Sequence, residues 1–244
     1  MPGSRNAGTI TSMTSSFRLS KLVRPCAARI TLALLGMACA NPASGRAATP
    51  GAPHRSDGWF TEIFAGVGIV PGGDITLGGV RYEADYKSGV ILGGAVGRGW
   101  TPRFATKLEW FYRSNSVNSL VAGTTRITGG DVASTNAFVT ATYRFGPSWQ
   151  VWGIAPFAGL GAGILQEVDV DLEGFGGEEF SAGGRFAYQW LVGLERAIGA
   201  QGRVFLEGRA VAAGSQELDS SNRARRLSVD YDTWGIIAGL RWSF

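Results

Sequence analysis

After residue 57 no segment repeats its apolar residues at helical spacing, whereas an apolar–polar alternation of period two returns again and again. The last instance is the clearest. Trp234, Ile236, Ala238, Leu240, Trp242 and Phe244 share one face, and Thr233, Gly235, Gly239, Arg241 and Ser243 share the other. The pattern predicts eight strands, at about 58–70, 86–100, 104–115, 134–145, 153–166, 184–196, 203–213 and 231–244. Most are long for a globular strand but suit a tilted one that crosses a bilayer, which needs roughly 9–11 residues.

The connections alternate in length. Residues 71–85, 116–133, 167–183 and 214–230 are expected as long polar loops, and 101–103, 146–152 and 197–202 as short turns. That rhythm fits an all-β, eight-stranded antiparallel up-and-down transmembrane β-barrel with both ends on the short-turn side.

Alternation alone does not say which face is inside, and a soluble barrel would turn the apolar face inward. Two patterns oppose the soluble alternative. Gly159, Gly161 and Gly163 fall on the face that elsewhere carries charge, where in a narrow lumen they leave room for long side chains. Aromatics collect at the strand ends on the short-turn side: Trp59, Trp100, Phe104, Phe145, Trp149, Trp152, Trp242 and Phe244. A membrane-interface girdle has this distribution.

The N-terminal segment agrees. Arg18, Lys21, Arg24 and Arg29 precede an uncharged apolar run, residues 30–40, of signal-peptide length and too short to span as a helix. Ala38-Cys39-Ala40 fits a cleavage site, and Ala47-Ala48 is a second. The expected organisation is therefore a signal peptide over 1–40 (or to 48), a Pro/Ala/Gly-rich linker over 41–57, and a barrel over 58–244. Gly36-Met37-Ala38 matches a lipidation signal at Cys39 poorly. Both cysteines, Cys26 and Cys39, lie in the leader, so the mature chain is expected to carry no disulfide and no cysteine metal site. The net charge of +4 also belongs to the leader. Residues 1–48 hold six basic groups and no acid, while the remainder holds 17 basic and 19 acidic residues. Nucleic-acid binding gains no support from that balance.

Three segments carry a family resemblance: Pro156-Phe-Ala-Gly-Leu-Gly-Ala-Gly163, Phe186-Ala-Tyr-Gln-Trp-Leu-Val-Gly-Leu-Glu195 and Gly239-Leu-Arg-Trp-Ser-Phe244. Over residues 58–244 the chain resembles the small eight-stranded outer-membrane β-barrels, the outer membrane protein A-type transmembrane domains and their opacity-protein-like relatives. The resemblance implies a bare barrel with no peptidoglycan-binding domain after Phe244. It also implies that Trp242 and Phe244 form the signal read by the barrel-assembly machinery.

The inward charges are the best-defined polar set: Glu62, Lys107, Glu109, Arg113, Arg144, Glu195, Arg203, Glu207, Arg209 and Arg241. Buried charges must pair or bear a large desolvation penalty. An eight-stranded barrel is just wide enough to be filled by side chains. A salt-bridged plug is the expected outcome, with a gated narrow pore as the alternative. An enzymatic reading fares worse. Outer-membrane barrel enzymes resemble one another in needing a histidine in the site, and the one here, His54, precedes the first strand. Glu109 and Glu195 are a carboxylate pair in principle suited to acid–base work, but their arginine neighbours favour a structural role. No catalytic, cofactor or metal residue is assigned. The acidic run Glu167, Asp169, Asp171, Glu173, Glu178 and Glu179 has calcium-type ligands but alternates like a strand. Arg223, Arg225 and Arg226 are placed either to pair with that run or to contact lipopolysaccharide phosphates. The functional expectation is a monomeric, non-enzymatic outer-membrane barrel that supports the envelope and presents four surface loops to an unnamed extracellular ligand. A small-solute pore and a lipid-modifying enzyme are the alternatives.

Overall fold

A computed structural model describes residues 58–172, 178–220 and 226–244. The segments expected as signal peptide and linker, with Cys26, Cys39 and His54, and Glu173, Arg223 and Arg225 lie outside the described residues. Among the described residues twelve strands form in chain order. They are β1 (Gly58–Ile69), β2 (Gly73–Leu77), β3 (Val80–Tyr86), β4 (Gly89–Gly99), β5 (Phe104–Ala122) and β6 (Thr125–Ile127), then β7 (Asp131–Arg144), β8 (Ile154–Leu172), β9 (Glu178–Ala182), β10 (Arg185–Ile198), β11 (Gly202–Ser220) and β12 (Arg226–Ser243).

Eight of them close a ring. β1 pairs β4, β4 pairs β5, and the ladder runs on through β7, β8, β10 and β11 to β12, which returns to β1 with Phe60 opposite Ser243 and Ile69 opposite Trp234. Every pairing is antiparallel, and each wall strand pairs with the next wall strand in the chain. Closure leaves no open edge, the condition for crossing hydrocarbon with strands.

The segments expected as polar loops are in large part ordered strand. β5, β8 and β11 each run for 19 residues, several beyond the expected ends. β2 and β3 form a hairpin closed by Gly78 and Gly79, whose φ values of 58° and 84° suit a two-residue turn that side-chain-bearing residues enter with difficulty. β2 pairs β12 and β3 pairs β5, so the hairpin takes over the wall where β1 and β4 stop. On the other side β9 bridges β8 and β11 above β10. The wall thus continues as a second tier at the long-hairpin end.

The two tiers have opposite polarity. Through β5 the outward residues pass from Leu108, Trp110 and Tyr112 to Ser114, Ser116 and Asn118, while the inward ones pass from Lys107 and Glu109 to Val117. Along β8 the outward face changes from Leu160, Ala162 and Ile164 to Glu167, Asp169 and Asp171, and the inward face from glycines to Val168, Val170 and Leu172. The lower tier is apolar outside, with Leu160 71% and Val139 61% exposed. The upper tier packs its lumen with Ile75, Leu77, Leu120, Leu172, Phe180, Leu218 and Leu227, all buried. A wall in lipid and a wall in water require these opposite arrangements.

Lumen glycines stand directly across from phenylalanines: Gly97 from Phe60, Gly93 from Phe64, Gly193 from Phe157, Gly239 from Phe205 and Gly163 from Phe138. A Cβ on Gly239 would sit 2.4 Å from Phe205 Cζ and 2.7 Å from the Ile63 carbonyl oxygen. Glycine here is a socket for the ring, which covers an otherwise bare stretch of ladder. Gly239→Val is expected to cost about 1–3 kcal/mol by overpacking. The check is the urea midpoint of the refolded barrel in micelles.

Candidate functional site in the barrel lumen

The alternation of the lower tier points ten ionisable side chains at the lumen, as its inward face requires. Nine of them form one connected network. Arg209 Nη2 lies 2.6 Å from Glu109 Oε2 and 2.7 Å from Glu207 Oε1. Lys107 Nζ lies 2.9 Å from Glu62 Oε2 and 3.1 Å from Glu109 Oε1. Arg241 grips Glu62 Oε1 through Nη2 at 2.6 Å and Nε at 2.7 Å, and donates from Nη1 to Glu195 Oε2 at 3.2 Å. That arginine couples the middle of the lumen to its short-turn end. There Glu195 Oε1 also receives Arg203 Nη1 at 2.5 Å and has Arg144 Nε at 3.0 Å.

The tenth, Arg113, stands outside the network. It is 2% exposed, donates from Nη2 to the Trp234 carbonyl oxygen at 3.3 Å, and has no carboxylate partner among the described residues. Its position explains this. Phe111 and Arg113 mark the level where the charged lumen gives way to the apolar tier, and Arg113 lies against the bare backbone of Gly68 and Gly235.

Aromatic rings complete the packing in a way the charge pattern alone does not disclose. The Arg209 guanidinium lies against both Phe64 and Phe111, 5.2 and 4.9 Å from the ring centroids, and Arg241 lies 4.5 Å from Phe60. Phe111 stacks on Phe138 at 5.8 Å. Desolvated cations over ring faces are held more strongly than exposed ones. Neutral polar groups finish the set. Gln189 Nε2 donates to Thr140 Oγ1 at 2.5 Å and reaches Glu109 Oε1 at 3.4 Å. Ser134 hydrogen-bonds Tyr231, and Asn115 Nδ2 donates to the carbonyls of Gly68 and Lys87 where β1 and β4 end. These residues share the inward parity of the charged ones, the one signal that could have found them.

The acidic run and the neighbouring arginines are described only in part. Glu167, Asp169 and Asp171 point outward along β8, and no group of three or more metal-type side chains forms among the described residues. Arg226 lies 3.5 Å from Asp219 and 3.9 Å from Glu217 on the adjacent strand, all exposed. Such pairs contribute little stability. Trp242 and Phe244 face outward at the short-turn rim, beside Trp59, and Phe244 donates its backbone N–H to the Trp59 carbonyl oxygen at 2.9 Å. A second aromatic belt, Phe186, Tyr188, Trp190 and Trp234, lies toward the upper edge of the apolar band.

Comparison with solved structures finds the same closed wall. Outer membrane protein OprG from Pseudomonas aeruginosa aligns with a TM-score of 0.57 at 14% identity, covering 78% of this chain and 97% of that one. The chain has the fold of the small eight-stranded outer-membrane β-barrels. Neisserial surface protein A (NspA) aligns on the barrel with a TM-score of 0.50 at 13% identity, over 76% of this chain and 97% of that one. At these identities the likeness is one of fold. No family model and no curated protein sequence matches the chain.

Proposed function

We propose that this outer-membrane barrel is a closed, non-enzymatic wall element of the bacterial envelope, and that its water-facing upper tier is displayed at the cell surface. The observation that carries the proposal is the double filling of the lumen. A nine-residue ion-pair network occupies the membrane level, and apolar side chains pack the tier above it. A path for solute would have to disrupt both. On this reading residues 1–40, or up to 48, direct export, residues 41–57 are a periplasmic linker, and Trp242 and Phe244 present the assembly signal. The short-turn end then faces the periplasm, and the barrel works as a monomer among lipid and lipopolysaccharide, its extracellular ligand unnamed. The filled lumen favours this reading over a small-solute pore. Purified barrel inserted into planar bilayers is expected to give no stable conductance. A steady, reproducible open level would overturn the proposal in favour of the pore.

A further inference from the structure

At the short-turn end the lumen opens into a cavity of about 40 Å³. Its ionisable lining is Arg103, Arg144, Arg203, Arg241 and Glu195. Three of the four guanidinium groups, those of Arg144, Arg203 and Arg241, share the Glu195 carboxylate, and of these only Arg241 has a second carboxylate, Glu62. Arg203 spends one nitrogen on Glu195. Arg144 Nε lies within ion-pair distance of Glu195 but makes no aligned hydrogen bond to it. Arg103, exposed at the mouth of the cavity, has no carboxylate partner among the described residues, and its guanidinium rests 3.0 Å from where a Cβ on Gly146 would stand. A side chain there would displace it.

We infer that this arginine-lined cup binds a small oxyanion, a phosphate or a free carboxylate group. Guanidinium forks match the paired oxygens of both, and the arginines with N–H groups left over here are the buried Arg203, the half-buried Arg144 and Arg103 at the mouth, Arg241 being engaged by Glu62 and Glu195. The cavity has room for about three water molecules, or for one tetrahedral or planar oxyanion in their place. Above the cup Glu62, Glu109 and Glu207 are matched by Lys107, Arg209 and Arg241, so the surplus of cations at this end lies in the cup itself, where Arg103, Arg144 and Arg203 have Glu195 as the one carboxylate among the lining residues. The inference concerns the local chemistry of this end and stands whichever compartment that end faces.

The test uses the full chain refolded in detergent with 15N-labelled arginine. Inorganic phosphate and acetate are titrated separately at constant ionic strength, with chloride as the balancing anion. Saturable shifts are expected in the Nε–H signals of Arg144 and Arg203, with the exposed Arg226 unmoved. A response to phosphate alone, to acetate alone, or to both supports the cup and identifies the oxyanion. Arg144→Gln is expected to weaken binding about 10-fold, the loss of one charge-assisted contact. Unboiled gel mobility reports whether the variant has folded, and if it has not, the wild-type shift map decides. No saturation by either anion, equal shifts at Arg226, or unchanged affinity in folded Arg144→Gln would overturn the inference.

Discussion

Replacing Arg209 with alanine is expected to lower the unfolding free energy by about 3–5 kcal/mol, the usual penalty for stranding buried partners. Arg209 is fully buried, bridges Glu109 and Glu207, and lies against two phenylalanine rings. Without it, three carboxylates, Glu62 included, are left with Lys107 and the already shared Arg241. Repulsion among them adds to the lost cation–ring contacts. The measurement is the urea unfolding curve of refolded barrel in lipid vesicles. Exchanging Arg209, Glu109 and Glu207 together for Met, Leu and Leu should cost far less, since no charge is then stranded. Equal losses in the two variants would mean that packing volume, not charge pairing, dominates the middle of the lumen.

The second large effect concerns the outer face. Val139 stands opposite Leu108 and Ala162 near the middle of the outward apolar band, between the short-turn aromatics and the belt around Trp234. Val139→Arg is expected to destabilise the barrel by about 2–4 kcal/mol, because a guanidinium at the bilayer midplane loses its hydration. Ser116→Arg, on the same outward face of the wall but in the upper tier, is expected to change stability by under about 0.5 kcal/mol, as for other exposed surface sites. The contrast depends on depth alone, since both side chains leave the wall on its outer side. Vesicle unfolding reads both variants, and similar penalties at the two sites would contradict the tier boundary.

Much of the lower tier was legible because its alternation is long and strongly marked. The faces of Phe104–Tyr112 and Trp234–Phe244 could be assigned from aromatics and charges before any pairing was known. The upper tier was not, for two physical reasons. Its polarity is inverted, so stretches such as Glu167–Asp171 look like solvated loop. The alternation also slips phase at that level. On β8 the inward residues are odd-numbered up to Leu165 and even-numbered from Val168, with a register shift between Thr135 and Asn136 of the paired strand. On β11 the same slip falls between Ala212 and Ser215, where Gly214 has a φ of 65°. A bulge inserts one residue and reverses parity, which breaks a period-two pattern read along one strand. One signal was present and unused: Gly78-Gly79 between two alternating runs marks a tight hairpin.

The lumen shows a similar division. Inward parity selects the ten charges, but partners depend on register and reach across the bore. Arg241 meets Glu195 across 46 residues and Glu62 across 179. Arg113 has the same parity as Lys107 and Glu109, yet it sits one level too high to share their carboxylates. The phenylalanine sockets are equally a matter of register, since each glycine is explained by a ring on the next strand.

Central to this account is a barrel whose polarity reverses between a lipid-embedded tier and a water-facing one. The most direct test is a spin-label scan of outward positions along β5, at Leu108, Trp110, Tyr112, Ser114, Ser116 and Asn118, in lipid vesicles. Collision with oxygen should dominate at Leu108 and Trp110, and collision with a water-soluble nickel complex at Ser116 and Asn118, crossing over near Tyr112 to Ser114. Uniform oxygen access along all six positions, or water access at Leu108, would contradict it.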